Sequence, residues 1–187
     1  MYNLGMDEPQ VVKALADLDG RARSMGLAAV DVLLVGASAG ILTGQLPRHR
    51  TTTDCDVIEV RPAGAEDVLM AAAEAVADER GLPRNWLNTD AQMLRHALPE
   101  SWRDRAVTVF AGDAMRVMAI GRLDLVCMKI YAGRAQDLDD LRSMRPSSEE
   151  LDLVDAYLER LAARGEPEAH LTDAREVLAS FRERNAR

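Results

Sequence analysis

The segment that most restricts the fold is Val30-Asp31-Val32-Leu33-Leu34-Val35, a run of Val and Leu broken only by Asp31 and closed by Gly36. A short run of bulky and β-branched side chains suits a strand buried on both faces, and a glycine directly behind it signals a turn. Such a strand does not stand alone, so the flanking sequence must supply further strands and amphipathic helices.

Both are legible. Residues 8–25 carry Val11, Val12, Leu15, Leu18 and Ala22 at helical spacing behind Asp7, a suitable N-cap. A short helix is expected over 38–43. Residues 51–60 are rich in Thr, Val and Ile and stop at Pro62, which predicts a second strand starting near Thr53 and pairing with the first. Residues 65–80 form an Ala-rich helix ended by Gly81 and Pro83. Strands at 107–111 and 115–120 are joined through Gly112-Asp113, a hairpin signal. Beyond Gly121 the pattern turns helical: Leu123, Val126, Cys127, Ile130 and Tyr131 recur at three-and-four spacing, and 138–144 continue it. Ser147 and Glu150 form a capping box for a helix over 148–164, and 172–184 make the last helix. The order predicts an α/β chain: an α+β core with a small mixed sheet, helices mainly on one face, and a C-terminal helical extension. No repeat or linker interrupts the 187 residues, so a single domain is expected.

A net charge of −8 argues against a general nucleic-acid coat or a binder of anionic membranes, while leaving room for a local basic patch. No apolar run approaches the roughly 20 residues of a membrane helix, and Met-Tyr-Asn-Leu-Gly-Met-Asp-Glu lacks a signal-peptide layout, so a cytoplasmic protein with no membrane partner is expected. Cys55 and Cys127 lie in apolar stretches and read as packed thiols. His49, His96 and His170 show no carboxylate at ligand spacing, which speaks against zinc.

The chemistry concentrates in Gly36-Ala37-Ser38 and, one helix later, Arg50-Thr51-Thr52-Thr53-Asp54-Cys55-Asp56-Val57-Ile58. Side chains alternate along a strand, so Asp54 and Asp56 project from one face, about 7 Å apart by backbone repeat. Two readings stand side by side. The pair is either two solvated carboxylates on an exposed edge, or a set of oxygen ligands for Mg²⁺, which keeps waters and takes substrate phosphates to complete its octahedron.

Gly-X-Ser at a strand end, a short helix and then Arg-X-Thr-X-Asp-X-Asp-hydrophobic resembles the nucleotidyltransferase fold of the DNA polymerase beta superfamily. The nearer resemblance is to small bacterial nucleotidyltransferase-like proteins of unassigned function, relatives of the abortive-infection and toxin-antitoxin nucleotidyltransferases. Those read Val-Gly-Gly-X-Ala where this chain has Val35 to Ala39, and place Ile or Leu where it has Cys55. Leu82-Pro83-Arg84-Asn85-Trp86-Leu87-Asn88 is similar to a Leu-Pro-X-X-Trp-Leu-Asn element, and Asp124 to Leu141 to a helical element bearing Lys, Arg and two Asp. The resemblance covers about 28–145, with the helices of 148–184 beyond it.

It implies a two-metal Mg²⁺ site on Asp54 and Asp56 and a nucleoside triphosphate as substrate, bound by Gly36, Ser38, Arg50, Thr52 and Lys129. Asp54, Asp56, Lys129 and Asp137 are the expected catalytic residues, with Asp113 or Asp137 as a third metal carboxylate. The acceptor implied is tRNA or a protein, with an antitoxin as a further partner; a non-catalytic nucleotide-binding or regulatory protein on the same fold is the alternative. Lys129 also stands out by composition. Of the 23 basic residues only it and Lys13 are Lys, and it lies among Val126, Met128 and Ile130, so its stem should be buried and its ammonium should emerge toward phosphate or a nearby Asp. Arg134 and Asp137 are spaced for an ordinary helix ion pair.

Overall fold

The structure, a computed structural model, describes residues 5–186. They divide into two compact units: one runs through His96 and resumes over Arg103–Gly121, and the other holds Ala97–Trp102 and the chain from Arg122 onward.

The first unit is built on strands β1 (Val30–Val35), β2 (Cys55–Arg61), β3 (Leu87–Asn88), β4 (Val107–Ala111) and β5 (Met115–Ala119). They form one sheet in the order β3-β2-β1-β5-β4. β1 is antiparallel to β2 and parallel to β5, β3 is parallel to β2, and β4 is antiparallel to β5. The Val30 run takes the central place, and the mixed sheet and the pairing of this run with the next strand are as the sequence predicts. β3 and two 3-10 segments, Asp90–Ala97 and Trp102–Arg105, are not, because pieces this short carry no periodicity.

Helices α1 (Glu8–Ser24), α2 (Gly36–Leu42) and α3 (Glu66–Arg80) complete this unit. α2 lies against β1, β2 and β5, and α1 packs on α2 and α3. α1 opens on the expected cap, with the Asp7 carboxylate accepting from the Gln10 amide at 3.0 Å and the Gln10 side chain answering at 2.9 Å. Cross-strand partners share a face, so Asp31, Leu33 and Val35 lie on one side of the sheet with Arg61, Glu59 and Asp56. A bulge opposite Leu34 inserts Ile58, and Val57 and Ile58 are both fully buried. This extra residue is why Asp56 and Glu59, three apart, emerge on the same face, against strict alternation.

The Gly112-Asp113 hairpin is clamped by α1. The buried Asp19 carboxylate accepts from the backbone N–H groups of Asp113, Ala114 and Met115 at 2.9, 2.9 and 2.8 Å. A Cβ on Gly112 would collide with that carboxylate, which explains the glycine. Asp19→Ala strands three donors, and we expect a loss of about 2 kcal/mol in urea unfolding, with Asp19→Asn losing less because it keeps one acceptor.

The second unit is helical: α4 (Arg122–Ala132), α5 (Ala135–Met144), α6 (Ser148–Ala163) and α7 (Glu168–Asn185). α4 packs on α5, α6 and α7, and α6 packs on α7. By contact, α4 and α5 therefore group with the C-terminal pair, although the resemblance assigns them to the core. α6 starts on the expected capping box, Ser147 accepting from Glu150 at 3.2 Å. The phenol of Tyr157 donates to the Ala97 carbonyl at 2.6 Å within this unit. Among the described residues no helix is long and apolar enough to cross a membrane.

Candidate active site

β1 ends at Val35, and Gly36 turns the chain with φ +70° straight into α2. Val35 is the cross-strand partner of Asp56. A Cβ on Gly36 would stand 2.6 Å from Asp56 Oδ2, so the Asp56 carboxylate rests against the bare backbone of the turn. Two separate demands, a left-handed conformation and this close approach, restrict the position to glycine.

Asp54 lies one residue before β2 and is half-buried. Its placement is owed to Thr52, whose buried hydroxyl lies 3.0 Å from the Asp54 carbonyl and 3.3 Å from its carboxylate. Thr52 is itself fixed by a backbone bridge to Met6, with Met6 N–H donating to the Thr52 carbonyl at 2.6 Å and the return bond at 3.0 Å. Thr52, expected to touch nucleotide, is thus a positioning residue for Asp54. The Arg50 guanidinium donates to the Thr51 carbonyl of the same loop.

Ser38 also differs from expectation. It is 1% exposed; its hydroxyl donates to the Val35 carbonyl at 3.3 Å and is bonded to the Cys55 thiol. The hydroxyl is turned into the interior, so a phosphate at this turn would meet backbone N–H groups. Burial pushes the Cys55 thiol up to about 12, an effect the Ser38 hydrogen bond opposes and the charges of Asp54 and Asp56 reinforce. Cys55 is therefore a neutral packing residue between two carboxylates, neither thiolate ligand nor nucleophile. Both cysteines are buried thiols outside any disulfide. A thiol reagent such as Ellman's should titrate neither in the native protein and both in denaturant; rapid native reaction of either would contradict this packing.

β3 brings in a residue the sequence did not single out for the site. Asn88 is the parallel partner of Asp56, and Leu87 of Cys55. The preceding Trp86 is fully buried and donates from Nε1 to the Ala73 carbonyl at 2.9 Å, while its own carbonyl accepts from the Cys55 amide at 2.5 Å. The Trp-Leu-Asn element thus anchors the edge of the sheet beside the carboxylates. Asn88 Oδ1 accepts from the Asp90 amide at 3.0 Å, which leaves Nδ2 as the donating end of its side chain.

Farther along the same face, Glu59 collects three arginines. Arg103 binds it with Nε and Nη2, both at 2.9 Å; Arg61 donates at 2.9 Å, and Arg95 donates to Oε1. The Arg103 bonds, working against burial, hold the Glu59 carboxyl below its usual range.

Lys129 and Asp137 come together, with a correction. Lys129 Nζ lies 3.0 Å from Asp137 Oδ1 and 2.6 Å from Asp140 Oδ2, and all three side chains are at most 4% exposed. The ammonium does not emerge from the helical unit; it is enclosed by two carboxylates. Arg134 closes on Asp137 at 2.7 Å, the expected i,i+3 pair. The other carboxylate considered, Asp113, pairs with Arg23 at 2.6 Å. It adjoins Ala114, whose carbonyl accepts from Val30 at the start of β1, whereas Asp56 pairs at its end, about 17 Å away by strand repeat. Asp113 is therefore no third ligand to the Asp54 and Asp56 pair. His170 is not without a carboxylate either: Nδ1 lies 3.1 Å from Glu166, one helical turn back, and Glu166 also accepts from Tyr131 at 2.5 Å. Among the described residues no group of three or more His, Cys, Asp and Glu is arranged to hold a metal ion.

Residues 13–178 match the model of the family described as nucleotidyltransferase of unknown function (DUF6036). The chain belongs to this nucleotidyltransferase family. The match runs from within α1 to within α7 and so takes in residues of both compact units. No curated protein and no solved structure matches the chain significantly.

Proposed function

We propose that this member of the family moves a nucleotidyl group from a nucleoside triphosphate to an acceptor hydroxyl, releasing pyrophosphate. The observation that carries the reading is the seating of Asp56 on the side-chain-free turn at Gly36, with Asp54 held beside it by Thr52. Asp54 and Asp56 would hold a divalent cation with its phosphates, and the Gly36 turn, free of a side chain, would leave backbone N–H groups as the donors available to them.

The donor set fits Mg²⁺: two hard carboxylates leave positions for waters and substrate phosphates, which is how this ion is usually held. When bound, the ion neutralises charge at the reacting phosphate and eases deprotonation of the attacking hydroxyl. The chain's own residues do the positioning. Asp54 and Asp56 fix the metal-chelated phosphates, Gly36 admits them, and Asn88 offers an amide donor at the sheet edge. Lys129 and Asp137 have no part in this proposal, because each already satisfies the other's charge. The acceptor, by resemblance to the toxin-antitoxin nucleotidyltransferases, is tRNA or a protein, with an antitoxin as the controlling partner.

Calorimetric titration with each nucleoside triphosphate tests the reading, with and without Mg²⁺. Metal-dependent triphosphate binding that weakens at least tenfold in Asp54→Asn is expected. Binding indifferent to both the metal and the substitution would refute the site.

A further inference from the structure

We propose that the arginine cluster on Glu59 is a second anion site, which binds a phosphate group of the acceptor on the sheet face that carries Asp56.

The cluster is built from three separate elements. Arg61 ends β2, Arg95 comes from the 3-10 segment that begins two residues after Asn88, and Arg103 from the next 3-10 segment. Arg103 alone, through its bidentate pair of bonds, already gives Glu59 a full counter-charge. Arg61 and Arg95 are therefore added cations, each giving Glu59 a single N–H and remaining about half exposed, at 48% and 50%, while Glu59 is 8% exposed. Asp31, the cross-strand neighbour of Arg61, is occupied by Arg116, which holds both its oxygens at 2.9 and 2.8 Å.

Three guanidiniums around one carboxylate leave local positive charge in excess, which favours a visiting anion. In a chain of net charge −8 such a concentration is a local exception. Planar guanidinium forks match phosphate oxygens, and the buried Glu59 orients them in advance, which lowers the ordering cost of binding. The position supports the same assignment. Glu59 and Asp56 share a face three residues apart, roughly 10 Å along the strand, so a ligand on the arginines lies beside the carboxylates without competing for them.

With tRNA as acceptor the phosphate is one of its backbone, and a free small phosphate is the other source of the same chemistry; the probes separate these. Naming it the acceptor's rests on the proposed transfer reaction; anion binding itself does not. Full-length protein is titrated, in chelator and without nucleotide, with inorganic pyrophosphate and with a fluorescent single-stranded 12-nucleotide RNA. At least one probe is expected to bind, and Arg61→Gln/Arg95→Gln should weaken it tenfold or more. Binding of Mg²⁺ and triphosphate by that variant should change by less than about twofold. RNA binding with a steep salt dependence identifies a backbone phosphate, and pyrophosphate binding alone identifies a small ligand. Independently of any variant, the bound probe should protect Arg61 and Arg95 from phenylglyoxal, read by peptide mass spectrometry. Failure of both probes to bind the unmodified protein, or equal binding by the double variant, overturns the anion site. Loss of Mg²⁺-triphosphate binding with the anion site intact would instead refute the transfer reading.

Discussion

Asp56→Asn lowers nucleotidyl transfer by about 10²–10³-fold or more while the protein stays folded. The substitution keeps the shape and both polar atoms of the side chain but removes the charge that rests against Gly36. A metal-chelated triphosphate draws several kcal/mol of stabilisation from such a ligand, and each 1.36 kcal/mol is about tenfold in rate. Asp54→Asn should lose a similar amount. Thr52→Val should lose less, because it only frees Asp54 to move; its signature is a raised KM for the metal with a smaller change in kcat. Far-UV circular dichroism matching the unmodified chain separates these losses from unfolding. Transfer by Asp56→Asn within a factor of three of normal would remove Asp56 from the site.

Lys129→Met destabilises the protein by about 3–5 kcal/mol, because it leaves the buried Asp137 and Asp140 facing each other without the ammonium between them. Arg134 partly compensates Asp137 from the surface, where it is 73% exposed. For a chain of this size the loss corresponds to a fall in Tm of about 10 °C. Adding Asp140→Asn to Lys129→Met should recover part of the loss, the non-additivity expected of residues in one ion cluster. Lys129→Arg should also destabilise, since a planar fork does not fit a space shaped for a compact ammonium. Thermal and urea unfolding followed by circular dichroism provide the measurement. A loss below about 1 kcal/mol for Lys129→Met would mean that the ion cluster does not hold the helices together.

These two sites show how far the sequence could be read. The strand at Val30, the glycine behind it, the Asp7 cap and the Ser147–Glu150 capping box depend on spacing within a few residues, and the fold follows them. The rarity of Lys correctly marked position 129 as special, but rarity does not reveal what surrounds an ammonium. Two aspartates 8 and 11 residues on in sequence enclose it, and only the packing of α4 on α5 brings them there. Asn88 lay within a recognised element, yet its place beside Asp56 depends on a two-residue strand too short for any periodic signal. Glu59 read as one more strand residue. Its three arginines come from positions 61, 95 and 103, and the bulge at Ile58 that turns it to the face of Asp56 has no marker in Val57-Ile58-Glu59. Ser38 was misread for a related reason: a hydroxyl just inside a helix can face a ligand or its own strand, and here Val35 and Cys55 take it.

The central claim is that Asp54 and Asp56 serve transfer of a nucleotidyl group, and paired labels test it most directly. The chain is incubated with Mg²⁺ and a cell extract as acceptor source, in parallel with α-labelled and γ-labelled nucleoside triphosphates. Nucleotidyl transfer places the α label on a macromolecular acceptor and the γ label in released pyrophosphate, and both signals vanish in Asp54→Asn and Asp56→Asn. Transfer of the γ label to the acceptor, or α labelling that persists in the two variants, would contradict the claim.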